Sequence, residues 1–206
     1  MTYYLAIDIG ASSGRHIVGW KENNVIQTKE VYRFKTGFKQ LKDKLTCDVK
    51  KLYRNVLEGL KLAFEQFPKI ESLAIDTWGV DYVLLNGDKE ILPCMSYRDS
   101  RTDRAVDIVH KVIPFEQLYS KTGIQFQPFN TLYQLFDDKL TGKLDKATDF
   151  LMLPEYLNYK LTGNKVKEYT NATTTGMVDA RTKQFDEEII SKLSLPKHLL
   201  KELHEA

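Results

Sequence analysis

YYLAIDIGASSGR, residues 3 to 15, is the stretch from which the rest of the chain can be read. An apolar run of Leu5, Ala6, Ile7 and Ile9, with Asp8 set into it, reads as a strand and enters Gly10-Ala11-Ser12-Ser13-Gly14, a loop with almost no side-chain bulk. Glycines let backbone N–H groups approach an anion, Ser12 and Ser13 add hydroxyl donors, Arg15 adds a positive charge, and Asp8 is suited to a hydrated Mg²⁺ beside phosphates. Residues 14 to 21 then read as a second strand, so the unit is a hairpin that cradles phosphate. Walker loops and dinucleotide fingerprints differ, because both turn from a strand into a helix. An ordinary Gly/Ser turn is the alternative for the loop alone, and the acid just ahead of it favours phosphate.

Working outward, the rest of the meander is residues 24 to 35, with Glu22-Asn23-Asn24 as the turn before it. A helix follows: Asp48 is a good N-cap, and Val49, Leu52, Tyr53, Val56, Leu57, Leu60, Ala63, Phe64 and Phe67 form one stripe before Pro68. Ile70 to Asp76 is a short apolar strand, and Tyr82 to Leu85, with Gly87 after it, is another. Three strands, a helix and a further strand predict an α/β fold with a mixed sheet flanked by helices. Beyond residue 100 the pattern turns helical, punctuated by Pro114, Gly123, Pro128, Gly142, Pro154 and Gly163. The final segment, LSLPKHLLKELHEA, also reads as helix-forming.

The 206 residues, 42% of them hydrophobic, can bury a sizeable core, as one large domain or as one domain and part of another. With 30 Lys and Arg against 28 Asp and Glu, the net charge of +2 gives no field suited to nucleic acid or a membrane surface. MTYYLAIDIG has no basic region, cleavage site or spanning length, which predicts a cytoplasmic protein. Cys47 and Cys94 lack CxxC spacing and flanking histidines, and read as reduced, buried thiols. His16, His110, His198 and His204 are scattered, with no triad or metal spacing around them.

A second candidate site is Asp76-Thr77-Trp78-Gly79-Val80-Asp81, placed where a buried strand ends. The Asp76 and Asp81 carboxylates accept from sugar hydroxyls, the Trp78 indole covers an apolar ring face, and Gly79 admits close backbone approach. The alternative makes Trp78 a core residue and Asp76 a cap or turn residue. Tyr97 to Arg104 alternates cations and anions, reading either as a solvated, salt-bridged surface or as a polar wall beside the sugar. Gln125, Gln127, Asn130, Tyr133 and Gln134, among aromatics, suit polyol recognition or a helix start in a core. Glu168 to Gly176, with its four threonines, reads by itself as ST-turn chemistry.

In their order, AIDIGASSGR, AIDTWGVDYVLL, YRDSRT, GIQFQPFNTLYQL, LMLPEYLNYKLTG and TNATTTGMVDARTKQFD resemble the FGGY carbohydrate kinases along nearly the whole chain. The resemblance implies an actin-like ATPase (ribonuclease H-like) domain whose opening hairpin binds ATP phosphates. It assigns Ala11, Ser12, Ser13, Gly14 and Arg15 to ATP, Asp8 to Mg²⁺, and Gly79 to the sugar. Asp76, Trp78 and Asp81 are added from local chemistry. Trp78, Gly79 and Val80 stand where glycerol kinases carry an amide, an arginine and an acid, which implies L-rhamnulose as the sugar. Kinases of other ketoses, L-fuculose or L-xylulose, and a sugar- or nucleotide-binding module without turnover are the alternatives. The family's second actin-like domain and its Gly-Gly-His-Asp segment, which supplies the general base, have no counterpart in residues 1 to 206. The expectation is therefore an N-terminal FGGY kinase domain over residues 1–206, incomplete, with no catalytic residue of its own and little activity by itself.

Overall fold

The computed structural model describes residues 1–205. They form two compact units, the first of Met1–Lys39 and Cys47–Trp78, the second of Gln40–Thr46 and Gly79 onward.

The first unit is built on β1 (Tyr3–Ile9), β2 (Ser13–Glu22) and β3 (Val25–Lys35), an antiparallel meander. Asn23 and Asn24 both adopt left-handed backbone, with φ of 49° and 63°, which gives the turn the twist a tight hairpin needs. Strict alternation along β1 sends Leu5, Ile7 and Ile9 inward, level with Val18, His16 and Gly14 on β2. Helix α1 (Val49–Gln66) packs on β2 and β3 through Val49, Leu52, Val56, Gly59 and Ala63, which recur every three or four residues. Asp48 caps it, its side chain accepting from the Lys51 N–H at 2.9 Å, and the helix stops just before Pro68, as the sequence predicts. Strand β6 (Ile70–Thr77) then lies parallel to β1, giving a mixed sheet in the order β3-β2-β1-β6.

Gly59 lets α1 come close. A Cβ there would sit 2.3–2.4 Å from ring atoms of His16, which is fully buried and whose Nε2 lies 3.2 Å from the Val56 carbonyl. Burial pushes the His16 pKa down.

Two short strands that the sequence does not announce, β4 (Phe38–Leu41) and β5 (Lys44–Cys47), join β9 (Cys94–Met95) in a three-stranded sheet. The second unit has a further antiparallel sheet in which β7 (Tyr82–Asn86) lies between β8 (Lys89–Glu90) and β10 (Asp149–Met152). Its helices are α2 (Asp103–Val112), α3 (Phe115–Thr122), α4 (Thr131–Leu140), α5 (Leu153–Thr162), α6 (Tyr169–Thr173) and α7 (Glu187–Lys192). They close over a core that includes Leu84, Val109, Leu132, Phe150, Met177 and Ile189. Gly123 and Gly163, both left-handed, end α3 and α5.

Two expectations for this unit are corrected. Residues 149–152 are a buried strand inside a stretch that reads as helical. The terminal segment forms only a short 3₁₀ turn at Lys197–Leu199 and then runs extended, bridging to Glu168 at His204. Leu199 and Leu203 are buried there, Lys201 Nζ reaches Asp149 at 2.7 Å, and the His204 N–H donates to the Lys167 carbonyl. Tertiary partners override a weak local preference for helix. Cys47 and Cys94 are both buried, as expected, and neither is in a disulfide among the described residues. Among the described residues no helix is long and apolar enough to cross a membrane.

Candidate functional site

The hairpin between β1 and β2 is pinned by its own backbone and by Thr36. The Gly10 N–H donates to the Ser13 carbonyl at 2.9 Å, while the Thr36 hydroxyl and N–H donate to the carbonyls of Gly10 and Ser12 at 2.7 and 3.2 Å. Three loop carbonyls are thus occupied. The N–H groups of Ala11 and Ser12 and the hydroxyls of Ser12 and Ser13 enter no hydrogen bond among the described residues. Acceptors turned inward and donors left open make an anion cradle, so the loop fits a phosphate. Gly14 is fixed by packing, because a Cβ there would fall 2.2–2.8 Å from the Phe34 ring.

Arg15 and Asp8, register partners across β2 and β1, form an ion pair. Arg15 Nε and Nη2 both reach Asp8 Oδ2, at 2.8 and 2.7 Å, with the two side chains 44% and 42% exposed. The sequence assigns Arg15 to phosphate and Asp8 to Mg²⁺, whereas here each holds the other. Both contacts fall on Oδ2, so Asp8 Oδ1 stays available to a hydrated cation. Among the described residues no group of three or more His, Cys, Asp or Glu is placed to hold a metal ion.

Asp76, exposed on β6, is the register partner of Asp8 across the parallel pair, and the two leave the same face of the sheet. Trp78 is half-buried with its ring edge-on to Phe38, centroids 5.8 Å apart.

In the second unit, Gly79 is half-buried and Asp81 wholly buried, so the Asp81 carboxylate meets no solvent. Between them Val80 has a φ of +66°, and the Asp81 N–H donates to the Gly79 carbonyl at 2.9 Å. That bond, from i+2 to i around a positive φ, is the rare form of γ-turn. The Val80 carbonyl accepts from Thr131 Oγ1 at 2.8 Å and Gln134 Nε2 at 3.2 Å, and its N–H donates to Thr174 Oγ1 at 3.2 Å.

Three segments that the sequence leaves ambiguous are resolved here. The charged run is not all solvated surface: Arg101 has a side chain only 10% exposed and donates to Asp138 at 2.5 Å, Asp137 at 3.2 Å, Gln134 Oε1 at 3.1 Å and the Tyr82 hydroxyl at 3.3 Å. Tyr82 in turn donates to Asp138, and burial raises its pKa well above the ordinary value. The amide and aromatic cluster is largely architecture. Asn130 Oδ1 accepts from the Gln127 N–H, and Tyr133 pairs with His110, with a pKa pushed up to about 12 by burial. Among the threonines Thr175 makes an ST-turn, accepting from the Met177 N–H at 3.2 Å, while Thr173, Thr174 and Thr175 each donate to the carbonyl three residues back, and Thr174 also receives Val80. Thr131 is the residue that motif reading missed, and although Arg101, Gln134 and Thr174 fall in segments it singled out, only tertiary folding brings them to residues 79–82.

A model of the FGGY family of carbohydrate kinases, N-terminal domain, matches residues 3–206. The rhamnulokinase of Oceanobacillus iheyensis is 46% identical over 202 residues, which is 97% of this chain and 43% of that protein. The chain therefore spans less than half the length of this curated relative. The crystal structure of xylulose kinase from Rhodospirillum rubrum superposes with a TM-score of 0.85 at 16% identity, over 98% of this chain and 42% of that one. Plasmodium falciparum glycerol kinase, solved with ADP, gives 0.75 at 20% identity, over 94% and 41%. Likeness at such low identity speaks to the fold, which is that of the actin-like sugar kinases.

Proposed function

The chain belongs to the FGGY family of carbohydrate kinases, and from that premise we propose that it is the N-terminal domain, residues 1–206, of an ATP-dependent kinase of L-rhamnulose. The reaction is transfer of the γ-phosphoryl group of ATP to the C1 hydroxyl of the sugar, giving ADP and L-rhamnulose 1-phosphate. The observation that carries this is the β1–β2 hairpin, whose N–H and hydroxyl donors are left without partners beside an aspartate.

In that role Ala11, Ser12, Ser13 and Gly14 cradle phosphate oxygens, and Arg15 exchanges Asp8 for them. Asp8 is the residue that would hold Mg²⁺ through Oδ1, and the ion, when bound, neutralises phosphate charge. Gly79 lies against the sugar, with Asp76 accepting from a hydroxyl and Trp78 covering an apolar ring face. Asp81, being buried, serves the turn that carries Gly79 and touches no sugar as the chain stands. The general base and the adenosine half of the nucleotide site belong to a second domain of the same polypeptide, so residues 1–206 alone turn over little. The protein works in the cytoplasm on small molecules, without nucleic acid or membrane.

The test is ADP release with Mg²⁺-ATP and L-rhamnulose, run on residues 1–206 and on the full-length protein. Turnover in the full-length protein alone is expected. Faster turnover of L-fuculose or L-xylulose would reassign the substrate, and no turnover of any ketose would leave a binding module.

A further inference from the structure

Valine at position 80 is an anomaly. A β-branched side chain crowds its own backbone at positive φ, so a left-handed valine is a genuine outlier that surrounding structure must hold in place. Glycine or asparagine would adopt this turn freely.

Three side chains hold it in place. Both acceptor sites of the Val80 carbonyl are filled, by Thr131 Oγ1 and Gln134 Nε2, and its N–H is bound by Thr174 Oγ1. Each of these three is fixed in turn. Thr131 is fully buried at the start of α4. The Gln134 amide is locked in one orientation, its oxygen accepting from Arg101 and its nitrogen also donating to the Phe129 carbonyl at 2.9 Å. Thr174 Oγ1 donates to the Asn171 carbonyl at 2.8 Å, leaving its lone pairs for Val80. The same Thr174 packs so tightly over residue 79 that a Cβ there would lie 3.0 Å from its Oγ1 and Cγ2.

The turn also takes up the Gly79 carbonyl. Of the four backbone polar groups at Gly79 and Val80, only the Gly79 N–H enters no hydrogen bond among the described residues. Strain is confined to one residue, three side chains from two distant segments converge on it, and the group left over belongs to the glycine read as lying against the sugar.

We propose that Thr131, Gln134 and Thr174 are positioning residues for the sugar, holding Val80 in its left-handed turn so that the Gly79 N–H is presented as a fixed donor to a sugar hydroxyl. This rests on the function proposed above. Preorganisation of this kind lowers the KM for the sugar and leaves the nucleotide untouched.

The test is steady-state kinetics of the full-length protein carrying Thr131→Val or Thr174→Val, which keep shape and lose the hydroxyl, and Thr131→Ser, which keeps it. Each valine variant is expected to raise the KM for L-rhamnulose about tenfold, the worth of one buried hydrogen bond, with the KM for ATP within about twofold of wild type. Thr131→Ser should restore the wild-type value. In a Val80→Gly background, where the turn needs no clamp, the Thr131→Val effect should shrink to under about twofold. Should a valine variant fail to fold, native-state hydrogen exchange of the Val80 amide in Thr174→Ser replaces it, with wild-type protection expected and lost protection counting against the clamp. An unchanged sugar KM, an equal rise in the KM for ATP, or an undiminished effect in the glycine background would overturn the inference while L-rhamnulose turnover by the wild type stands. A wild type that turns over no ketose would overturn the functional proposal, and this inference with it.

Discussion

Asp8 and Asp76 are register partners across the parallel β1–β6 pair, so two carboxylates leave one face of the sheet a single strand apart, with Arg15 opposite Asp8 on the other side. Like charges so placed repel, and the Arg15 pair offsets this.

Because Asp8 and Arg15 are both more than two-fifths exposed, solvent screens their attraction to about 0–1 kcal/mol. Asp8→Asn should therefore leave the urea midpoint of residues 1–206 nearly unchanged. If Asp8 holds the metal as proposed, the same change in the full-length protein should lower kcat by about 10²-fold or more. Urea unfolding paired with an ADP-release assay checks both halves.

Gly59→Ala should destabilise the first unit by about 1–3 kcal/mol, although alanine favours helix over glycine by about 1 kcal/mol. The added Cβ would fall 2.3–2.4 Å from His16, whose ring is held edge-on by Tyr32 with centroids 5.6 Å apart and cannot swing away. Equilibrium denaturation of the variant measures the loss.

His16 gives stability a pH dependence of known sign. Burial lowers its folded pKa below the ordinary 6.5, so the unfolded chain takes up a proton at higher pH than the folded one. Its contribution is intact above pH 6.5 and is lost as pH falls from there toward the depressed folded value. Urea titrations of wild type and His16→Gln between pH 7.5 and 5 should show the wild type losing up to about 1.4 kcal/mol more per pH unit.

Arg101→Met should cost the second unit about 3–5 kcal/mol, because it leaves Asp138, with a side chain 2% exposed, with only the more distant Lys143, 3.8 Å away, as a cation. Adding Asp138→Asn removes the stranded charge and should recover a large part of that loss. Thermal unfolding of the single and double variants distinguishes a stranded charge from a simple packing defect.

The sequence made the first unit legible because its signals are local. Alternation in β1, paired asparagines at a hairpin, Asp48 ahead of an apolar stripe and Pro68 after it each act within a few residues. The same holds for the phosphate loop, where small residues and an acid are adjacent in the chain. The second unit was less legible because its decisive contacts are remote: Asp149 to Met152 is a strand only because β7 offers an edge, and the segment from His198 to Leu203 is drawn from a helix by Gln184, Ala147 and Asp149, 19 to 52 residues earlier in the chain. Arg101 hid in a run whose alternating charge suggests solvent. The role of Val80 was invisible, since nothing in a valine announces a positive φ.

Strand β6 bonds only to β1, and among the described residues no partner lies along its other side, from Ile70 to Thr77. Glu71 to Ala74 lie exposed along it. A rim of unused amide and carbonyl groups is a template, and whatever extended peptide is present in excess can add to it. In a preparation of residues 1–206 it offers a port for split-protein complementation, in which a peptide supplied in trans docks as a fifth strand and reports its arrival through the sheet.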